Sequence, residues 1–390
     1  MTMIWATILV IGVLVFVHEL GHYLAARSVG VRVEKFSVGF PPRIISFTSI
    51  PGGWNVQLFF YKIIENKWIW SSIWSTSISR PKKAGTGTEY CLALIPIGGY
   101  VKMAGVIDES LDTTIEHKPD ELMSKPNWAQ IWVMSAGVIM NVLLAIGIFT
   151  GIAYHSGRPE IKDIPVVSQV IEDMPAAEIG LQEGDIITTI DGKAISTWME
   201  MSAIIHTIPK QEIDLTWERN NKPMSAKVTT SWQLSLVDGK VDTLGAIGIY
   251  PSIEYVDVGL GEALKMGSIS TIGSVALIGS SMSMLFSGEA SIKELGGPIA
   301  IAQIAGETAK AGIIPLLAFM AFFSVNLAFI NILPIPGLDG GHILIILIQS
   351  IIRRPLSIKV RLVIQQVGMA LLLMLFVTVI YNDFARLFTG

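Results

Sequence analysis

The sequence predicts a polytopic α-helical membrane protein with four transmembrane helices, a membrane-associated β element and an inserted β-rich domain. Composition is the first reason: 51% of the 390 residues are hydrophobic and 15% are charged, which is too apolar for an ordinary soluble enzyme. The second reason is that four apolar segments are long enough to cross about 30 Å of hydrocarbon. The third is that one long stretch, 157–255, is soluble in character. The apolar segments are 3–26, 128–154, 313–333 and 363–380.

Charge and cysteine content narrow the functional classes. The formal net charge of −4 provides no global basic field that would attract nucleic acid. The single cysteine, Cys91, excludes an internal disulfide framework. Basic residues follow the first apolar segment at Arg27, Arg32, Lys35 and Arg43. By the positive-inside tendency, the C-terminal end of that segment is therefore expected to face the cytoplasm.

The first apolar segment contains the stretch His18-Glu19-Leu20-Gly21-His22. Residues four apart share a helix face, so His18 and His22 can direct their imidazoles at one point. Glu19 lies beside that point, where a carboxylate can accept a proton rather than bind a metal. The plain alternative is three polar residues on the wet face of a surface helix, but the neighbouring residues leave no polar face. Ionisable groups are costly in an apolar helix of membrane length, so the stretch predicts a metal site.

Two stretches, 31–62 and 89–103, have strand-like composition and are interrupted by Gly and Pro turns. They can pair into a sheet, whose edge would accept an extended peptide as an added strand. A small structural hairpin explains the pattern equally well. The tryptophan-rich stretch between them suits either the headgroup region of the cytoplasmic leaflet or an extended hairpin, and we assign it no chemistry.

The second apolar segment carries Gly137 and Asn141, four residues apart. A small residue at this spacing lets helices approach closely, and the amide of Asn141 can then reach a neighbouring helix or a bound chain. Helix packing alone accounts for the spacing equally well.

The stretch 170–193 reads as strand, turn, short helix, glycine-bounded turn and strand, and it resembles the bacterial PDZ domain. A helix near 198–208 and strands at 213–218 and 224–230 continue the resemblance. It implies a peptide groove between a strand and a helix. The chain has room for one such domain.

Residues 260–287 are apolar at three-to-four spacing and rich in Ser and Gly elsewhere, which fits either a span or an interfacial helix. If this segment crossed the membrane, Asp339 at the end of the next span would lie on the face opposite His18 and His22. We therefore expect it to lie on the outer surface.

The third span leads into the stretch NILPIPGLDGGH at 331–342. A carboxylate at the end of an apolar helix, in a segment broken by Pro and Gly, is functional by default. Two histidines and one aspartate with a fourth position open form a catalytic zinc pattern. Asp339 is therefore predicted as the third ligand, with a helix-terminus cap as the alternative. His342 is expected to be an ordinary interfacial histidine.

Taken in this order, HELGH, GVIMN, the PDZ-like insert and NILPIPGLDGGH resemble the site-2 protease family, and more narrowly its bacterial regulator-of-sigma-E type. The resemblance covers nearly the whole chain. It implies that His18, His22 and Asp339 bind zinc and that Glu19 is the general base. The substrate-positioning residues that it implies are Asn331, Asn141, Gly137, Ile97, Gly98, Gly99 and Tyr100.

The expected function is zinc-dependent intramembrane cleavage of single-span membrane proteins, such as anti-sigma factors or signal-peptide remnants. The expected location is the bacterial cytoplasmic membrane, with the active site toward the cytoplasm and an extracytoplasmic PDZ domain that binds a peptide. Two other classes stay open: a catalytically silent PDZ-bearing scaffold, and a metal transporter, which should show midplane polar residues in several spans. The expected segments are the first span 1–30, β element and loops 31–127, second span 128–155, PDZ domain 160–255, interfacial helix and loop 258–312, third span 313–345 and fourth span 360–390.

Overall fold

The computed structural model describes residues 2–64, 67–79, 85–106, 117–237, 240–289, 291, 296–354 and 356–389. The chain forms two compact units, one made of Met1–Ala153 and Gly259–Gly390 and the other of Tyr154–Val258. The helices are α1 (Thr2–Ser28), α2 (Asn127–Ser156), α3 (Pro175–Glu178), α4 (Trp198–His206), α5 (Leu260–Ser287), α6 (Pro298–Ala311), α7 (Ile313–Ile332), α8 (Asp339–Ile352) and α9 (Ile358–Thr389).

Among the described residues, five helices are long and apolar enough to cross a membrane: α1, α2, α5, α7 and α9. The predicted fold class, a polytopic membrane protein with a β-rich insert, is confirmed, although the sequence predicted four spans. The stretch predicted as one third span, 313–345, is instead two helices, because the Pro and Gly residues at 334–337 end α7 and α8 begins at Asp339.

Helix α5 accounts for the difference in the number of spans. Its Gly267 lies directly against Thr150 and the backbone of Ile146 in α2, and Ile278 packs in a cluster with Ala145 and Val325. This packing places one face of α5 against α2 and α7, and the outer-surface position expected for the segment stays a prediction. That expectation came from counting complete membrane crossings between the histidines and Asp339. It did not consider a helix that enters the bilayer without crossing it.

Helices α1 and α2 cross at very close range. A side chain at Gly21 would overlap the carbonyl of Ala136, so only the absence of a Cβ permits the contact. At the other end of α1, Ala6, Val10 and Leu14 pack with residues of α6 and α7. The histidine-bearing end of α1 is thereby fixed against α2.

The first unit contains one four-stranded antiparallel sheet in the order β3-β2-β1-β4. Its strands are β1 (Val33–Ile50), β2 (Gly53–Ile64), β3 (Lys67–Ser79) and β4 (Glu89–Met103). The tryptophan-rich stretch is β3, so it forms the extended hairpin that was one of its two predicted readings. It pairs along its length with β2.

Strand β4 folds back on itself around β1. Residues 89–92 lie between 45–48 and 35–38 of β1, while 99–102 pair with the other side of 35–38. The C-terminal half of β4 is therefore an edge of the sheet, and in the described part of the chain no strand covers its outer side. Its backbone groups are available to a further strand.

The second unit is built on a sheet in the order β10-β9-β7-β8, with three further strand pairs. Its core includes Val167, Ile187 and Trp217, with Met201 and Ile205 from α4. Thr197 caps α4 by accepting a hydrogen bond from the Glu200 N–H. Its strands are β5 (Arg158–Ile161), β6 (Val167–Val170), β7 (Ile186–Ile190), β8 (Lys193–Ala194), β9 (Glu212–Arg219), β10 (Lys222–Thr229), β11 (Ser231–Val237), β12 (Lys240–Ala246), β13 (Ile249–Pro251) and β14 (Ile253–Val256).

Two buried carboxylates hold elements together. Asp383 near the end of α9 is 3% exposed and accepts hydrogen bonds from the N–H groups of Gly297 and Ile299 at the start of α6, both at 2.9 Å. In the second unit, Asp185 is 1% exposed and accepts two hydrogen bonds from the Arg219 guanidinium, both at 2.7 Å. Burial alone would raise the pKa of Asp185, but Arg219 and a backbone N–H hold that pKa below its usual range.

Replacing Asp383 with Ala should free the first amide groups of α6. Loss of an N-terminal cap costs about 0.5–2 kcal/mol, so hydrogen exchange at Ile299 should accelerate about tenfold. The control is Glu307→Ala, at an exposed position on the same helix, which should leave that exchange rate unchanged. An unaltered rate in Asp383→Ala would show that the carboxylate is not the cap.

Replacing Asp185 with Asn should lower the free energy of unfolding of the Tyr154–Val258 unit by about 1.5–3 kcal/mol, because Arg219 loses its anionic partner. In the unaltered protein this contribution is complete above the unfolded-state pKa of about 3.9 and is lost as pH falls through the lower folded-state pKa. Protease susceptibility of the unit during thermal unfolding at a series of pH values measures both effects. The exposed Glu183→Gln is the control; equal loss there would contradict the account.

Candidate metal centre

His18 and His22 lie one turn apart on α1, and both are buried, 7% and 6% exposed. Their Nε2 atoms are 3.2 Å apart. The helix around them is apolar, and the contact between Gly21 and Ala136 presses this turn of α1 against α2. The two imidazoles therefore meet at one point inside the helix bundle, as their spacing predicted.

Asp339 reaches the same point from α8. The two residues after Asp339 are glycines, and neither position has room for a side chain. A Cβ at Gly340 would overlap the carbonyl of Ile332, and a Cβ at Gly341 would overlap the carbonyl of Ile335. The first turn of α8 can therefore lie directly on the chain that leaves α7. A carboxylate in the first turn also suits the positive end of the helix dipole.

The three side chains form a set of donors around one position. Asp339 Oδ2 is 3.2 Å from His18 Nε2 and 3.4 Å from His22 Nε2. This oxygen is buried, yet no hydrogen bond of acceptable geometry satisfies it. Donors about 2.0–2.1 Å from one tetrahedral ion lie roughly 3.3 Å from each other. The spacing, the unsatisfied oxygen and the two-nitrogen, one-oxygen chemistry therefore fit a zinc ion.

The backbone of α2 fixes the orientation of His22. Its Nδ1 lies 2.8 Å from the carbonyl oxygen of Val133, which can only accept a hydrogen bond. Nδ1 therefore carries the proton and Nε2 presents its lone pair to the donor set. No sequence pattern predicts that Val133 orients His22, because the contact is made by its backbone carbonyl.

Asn141 makes the corresponding contact to His18. Its side-chain amide is 3.3 Å from His18 Nδ1, and the residue is completely buried. The amide oxygen has no hydrogen-bond partner in the described structure. Turning the amide about its terminal bond places this oxygen next to His18 Nδ1, where it can accept a hydrogen bond from Nδ1–H. Asn141 thus contacts a predicted ligand, and Ser324 of α7 donates to its backbone carbonyl at 2.8 Å.

Gly137 forms the floor beneath the imidazoles. A Cβ at this position would stand 2.5 Å from His22 Nε2 and 2.6 Å from His18 Cε1. No larger residue fits without moving the rings. The GVIMN stretch therefore provides both the space for the two histidines and the amide that contacts one of them.

A cavity of ≈ 580 Å³ opens beside the donor set. Glu19 lines it together with the three donor residues, and so does the edge strand of β4 from Gly99 to Met103. We call this cavity the chamber. A Cβ at Gly99 would stand 3.8 Å from Glu19 Cγ, so the predicted base faces the sheet edge.

The remaining predicted site residues divide into two groups. Asn331, Gly99 and Tyr100 line the chamber. Gly98, with φ +117°, instead packs under the ring of Phe40, and the side chain of Ile97 lies outside the described residues. No sequence pattern predicted several other residues that line the chamber, namely Lys35, Phe40, Lys102 and Leu327.

Comparison with known proteins places the chain in a family. The model of peptidase family M50 matches residues 6–62 and 74–375, and the unmatched residues between them include the end of β2 and the first half of β3. The regulator of sigma-W protease RasP of Bacillus subtilis is 28% identical, over 98% of each chain. A protein of Clostridium perfringens that carries a zinc metalloprotease name is 34% identical, over 96% of each chain.

One solved structure, the PDZ domain of an SdrC-like protein of Listeria monocytogenes, is 27% identical and covers 23% of this chain and 87% of its own, with a TM-score of 0.19. The family model spans most of the chain, and the relatives align over nearly their full length. The chain therefore belongs to peptidase family M50, the site-2 protease family.

Proposed function

We propose that the protein is a zinc-dependent intramembrane protease that cleaves the transmembrane segments of single-span membrane proteins. One observation carries the proposal: His18, His22 and Asp339 converge, with Glu19 beside them, inside a bundle of apolar helices. Neither a silent scaffold nor a transporter needs that complete set at one point.

His18, His22 and Asp339 would hold the metal through Nε2, Nε2 and a carboxylate oxygen. Zinc bound there supplies Lewis-acid polarisation of a peptide carbonyl and makes water a nucleophile near neutral pH. Gly137 keeps the space clear for both rings. We assign Asn141 and the Val133 carbonyl to orienting the two imidazoles, which is a different role for Asn141 from the substrate contact that the sequence suggested.

Glu19 would act as the general base. Its carboxylate takes a proton from the attacking water and delivers it to the amine that leaves when the peptide bond breaks. The position of Glu19 between the donor set and the β4 edge supports this role, because the scissile bond must lie between the two.

Substrate would enter as an extended strand. The carbonyl groups of a transmembrane helix are tied up in its own hydrogen bonds, so the segment must unwind before attack. The uncovered edge at 99–103 offers backbone groups to the unwound segment, which lowers the cost of exposing its peptide bonds within the membrane. Asn331, at the end of α7, also lines the chamber and would help to hold the segment there.

The proposed setting is the bacterial cytoplasmic membrane, with the chamber toward the cytoplasm and the Tyr154–Val258 unit outside it. The basic residues that follow α1 support this orientation. The relative from Bacillus subtilis is named a regulator of sigma-W protease, which supports membrane-bound regulators such as anti-sigma factors, alongside signal-peptide remnants, as substrates. The PDZ-like unit would bind a further peptide.

Replacing Glu19 with Gln should abolish cleavage, by at least about a thousandfold, while zinc content stays near one ion per chain, because an amide cannot accept the proton. Comparative membrane proteomics of cells carrying wild type or Glu19→Gln should show single-span proteins that accumulate uncut in the variant. Substantial cleavage by Glu19→Gln would remove the general-base role, and an unchanged proteome would remove the proposed substrate class.

Replacing Gly137 with Ala should weaken zinc binding at least tenfold, because the new methyl group would occupy the space of the imidazole rings. Gly147→Ala on the same helix is the matched control, since a Cβ there meets nothing within 4 Å. Zinc is measured by elemental analysis and by competition with a chelator. Equal zinc affinity in the two variants would mean that the rings do not hold the ion where we place it.

A further inference from the structure

A second, smaller cavity of ≈ 30 Å³ lies beside the chamber, and we call it the side pocket. Apolar residues such as Met134 and Ile345 form most of its wall, and Arg361 and Gln365 of α9 are among its polar lining residues. A cavity of this size holds about two water molecules or the polar end of one side chain.

At the side pocket, the guanidinium of Arg361 has more N–H donors than the described residues give it acceptors. Arg361 Nη2 donates to Gln349 Oε1 at 2.6 Å, and no carboxylate of the described residues lies within ion-pair distance of it. By contrast, Arg32 and Arg43 each pair with an acidic side chain. Gln349 does not itself line the side pocket, and its Nε2 is buried without a hydrogen-bond partner in the described structure.

Gln365 adds an independent observation. It is 4% exposed and lines the side pocket, and its side chain forms no hydrogen bond with any residue that the structure describes. Unpaired polar groups are costly at membrane depth. A guanidinium beside amide groups matches one kind of occupant, an anion with the planar geometry of a carboxylate.

The side pocket is continuous with the path that we assign to substrate. Val106, Met134, His342 and Gln365 line both the side pocket and the chamber. Strand β4 also ends near the side pocket. Its last residue is Met103, and Gly105 and Val106, which follow in the chain, form part of the pocket wall. A strand added to the edge at about 3.3 Å per residue therefore brings a side chain to the side pocket within roughly six residues of Gly99.

We propose that the side pocket is a specificity subsite in which Arg361 binds an Asp or Glu side chain of the substrate. The proposal rests on the proposed proteolytic function and names a preference within it. The small volume favours a single carboxylate over a phosphate group with attached acyl chains.

Binding without cleavage provides the first test. The full-length Glu19→Gln variant in detergent is titrated with fluorescent apolar peptides that carry one Glu at successive positions, each compared with the same peptide carrying Gln. At one or two adjacent positions Glu should bind about tenfold more tightly than Gln. Arg361→Gln should remove this difference, whereas Lys359→Gln, at an exposed position on the same helix, should keep it.

Reversing the charge at Arg361 distinguishes loss of the subsite from misfolding of the variant. Arg361→Glu should shift the preference at the same peptide position from Glu to Lys, which a nonspecific loss of structure cannot produce. A matching test uses cleavage by protein with Glu19 intact: the ratio of kcat/KM for Glu and Gln reporters should fall toward one in Arg361→Gln. Because the binding test needs no turnover, it separates failure of the subsite from failure of the proteolytic function.

Three outcomes would overturn the subsite. One is equal binding of Glu and Gln peptides at every position, or a preference that survives Arg361→Gln. Another is a preference that vanishes in nanodiscs of phosphatidylglycerol but not of phosphatidylcholine, which would make a lipid headgroup the occupant. The third is a preference that emerges only when Asp108 and Glu109, which lie outside the described residues, are replaced by amides. The anion would then come from this chain.

Discussion

The convergence of two imidazoles and one carboxylate within an apolar bundle is the constraint on which the rest of the structure depends. Each of these groups is expensive to bury alone, and together they require a shared cation or proton. The close contacts of the surrounding helices follow from that requirement. Gly21 and Gly137 let α1 and α2 approach, and Gly340 and Gly341 let α8 begin against the end of α7. The glycines would thus be part of the proposed metal centre, although none of them would bind the ion.

We propose that the sheet solves a second problem, which is how a hydrolase can act on a chain that has no free peptide groups. In a membrane, backbone groups must be satisfied, so a substrate helix gives up its hydrogen bonds only where others are offered. Strand β4 offers them because it turns back around β1 and leaves 99–103 as an edge. This edge lines the same cavity as Glu19. In the proposed mechanism, the edge of this sheet would bring the unwound chain to Glu19 of α1.

The sequence was most informative where chemistry is concentrated in a short motif. His18, Glu19 and His22 were recognisable because polar residues stand out in an apolar helix, and Asp339 because Pro and Gly break the helix before it. The contact of Val133 with His22 could not be predicted, since it is made by a backbone carbonyl. The course of β4 was equally hidden, because residue alternation specifies a strand but not which strands flank it. The packing of α5 against α2 and α7 was not foreseen, because it depends on contacts between helices far apart in the sequence. Asn141 was singled out, but its contact with His18 depends on how two helices pack.

The central claim is that His18, His22 and Asp339 share one zinc ion, and X-ray absorption at the zinc edge of the purified full-length protein tests it most directly. The account predicts one zinc per chain, with two imidazole nitrogens and oxygen ligands at about 2.0–2.2 Å. His22→Ala should remove one imidazole contribution, or the ion itself. A spectrum without imidazole scattering, or one that His22→Ala leaves unchanged, would contradict the account.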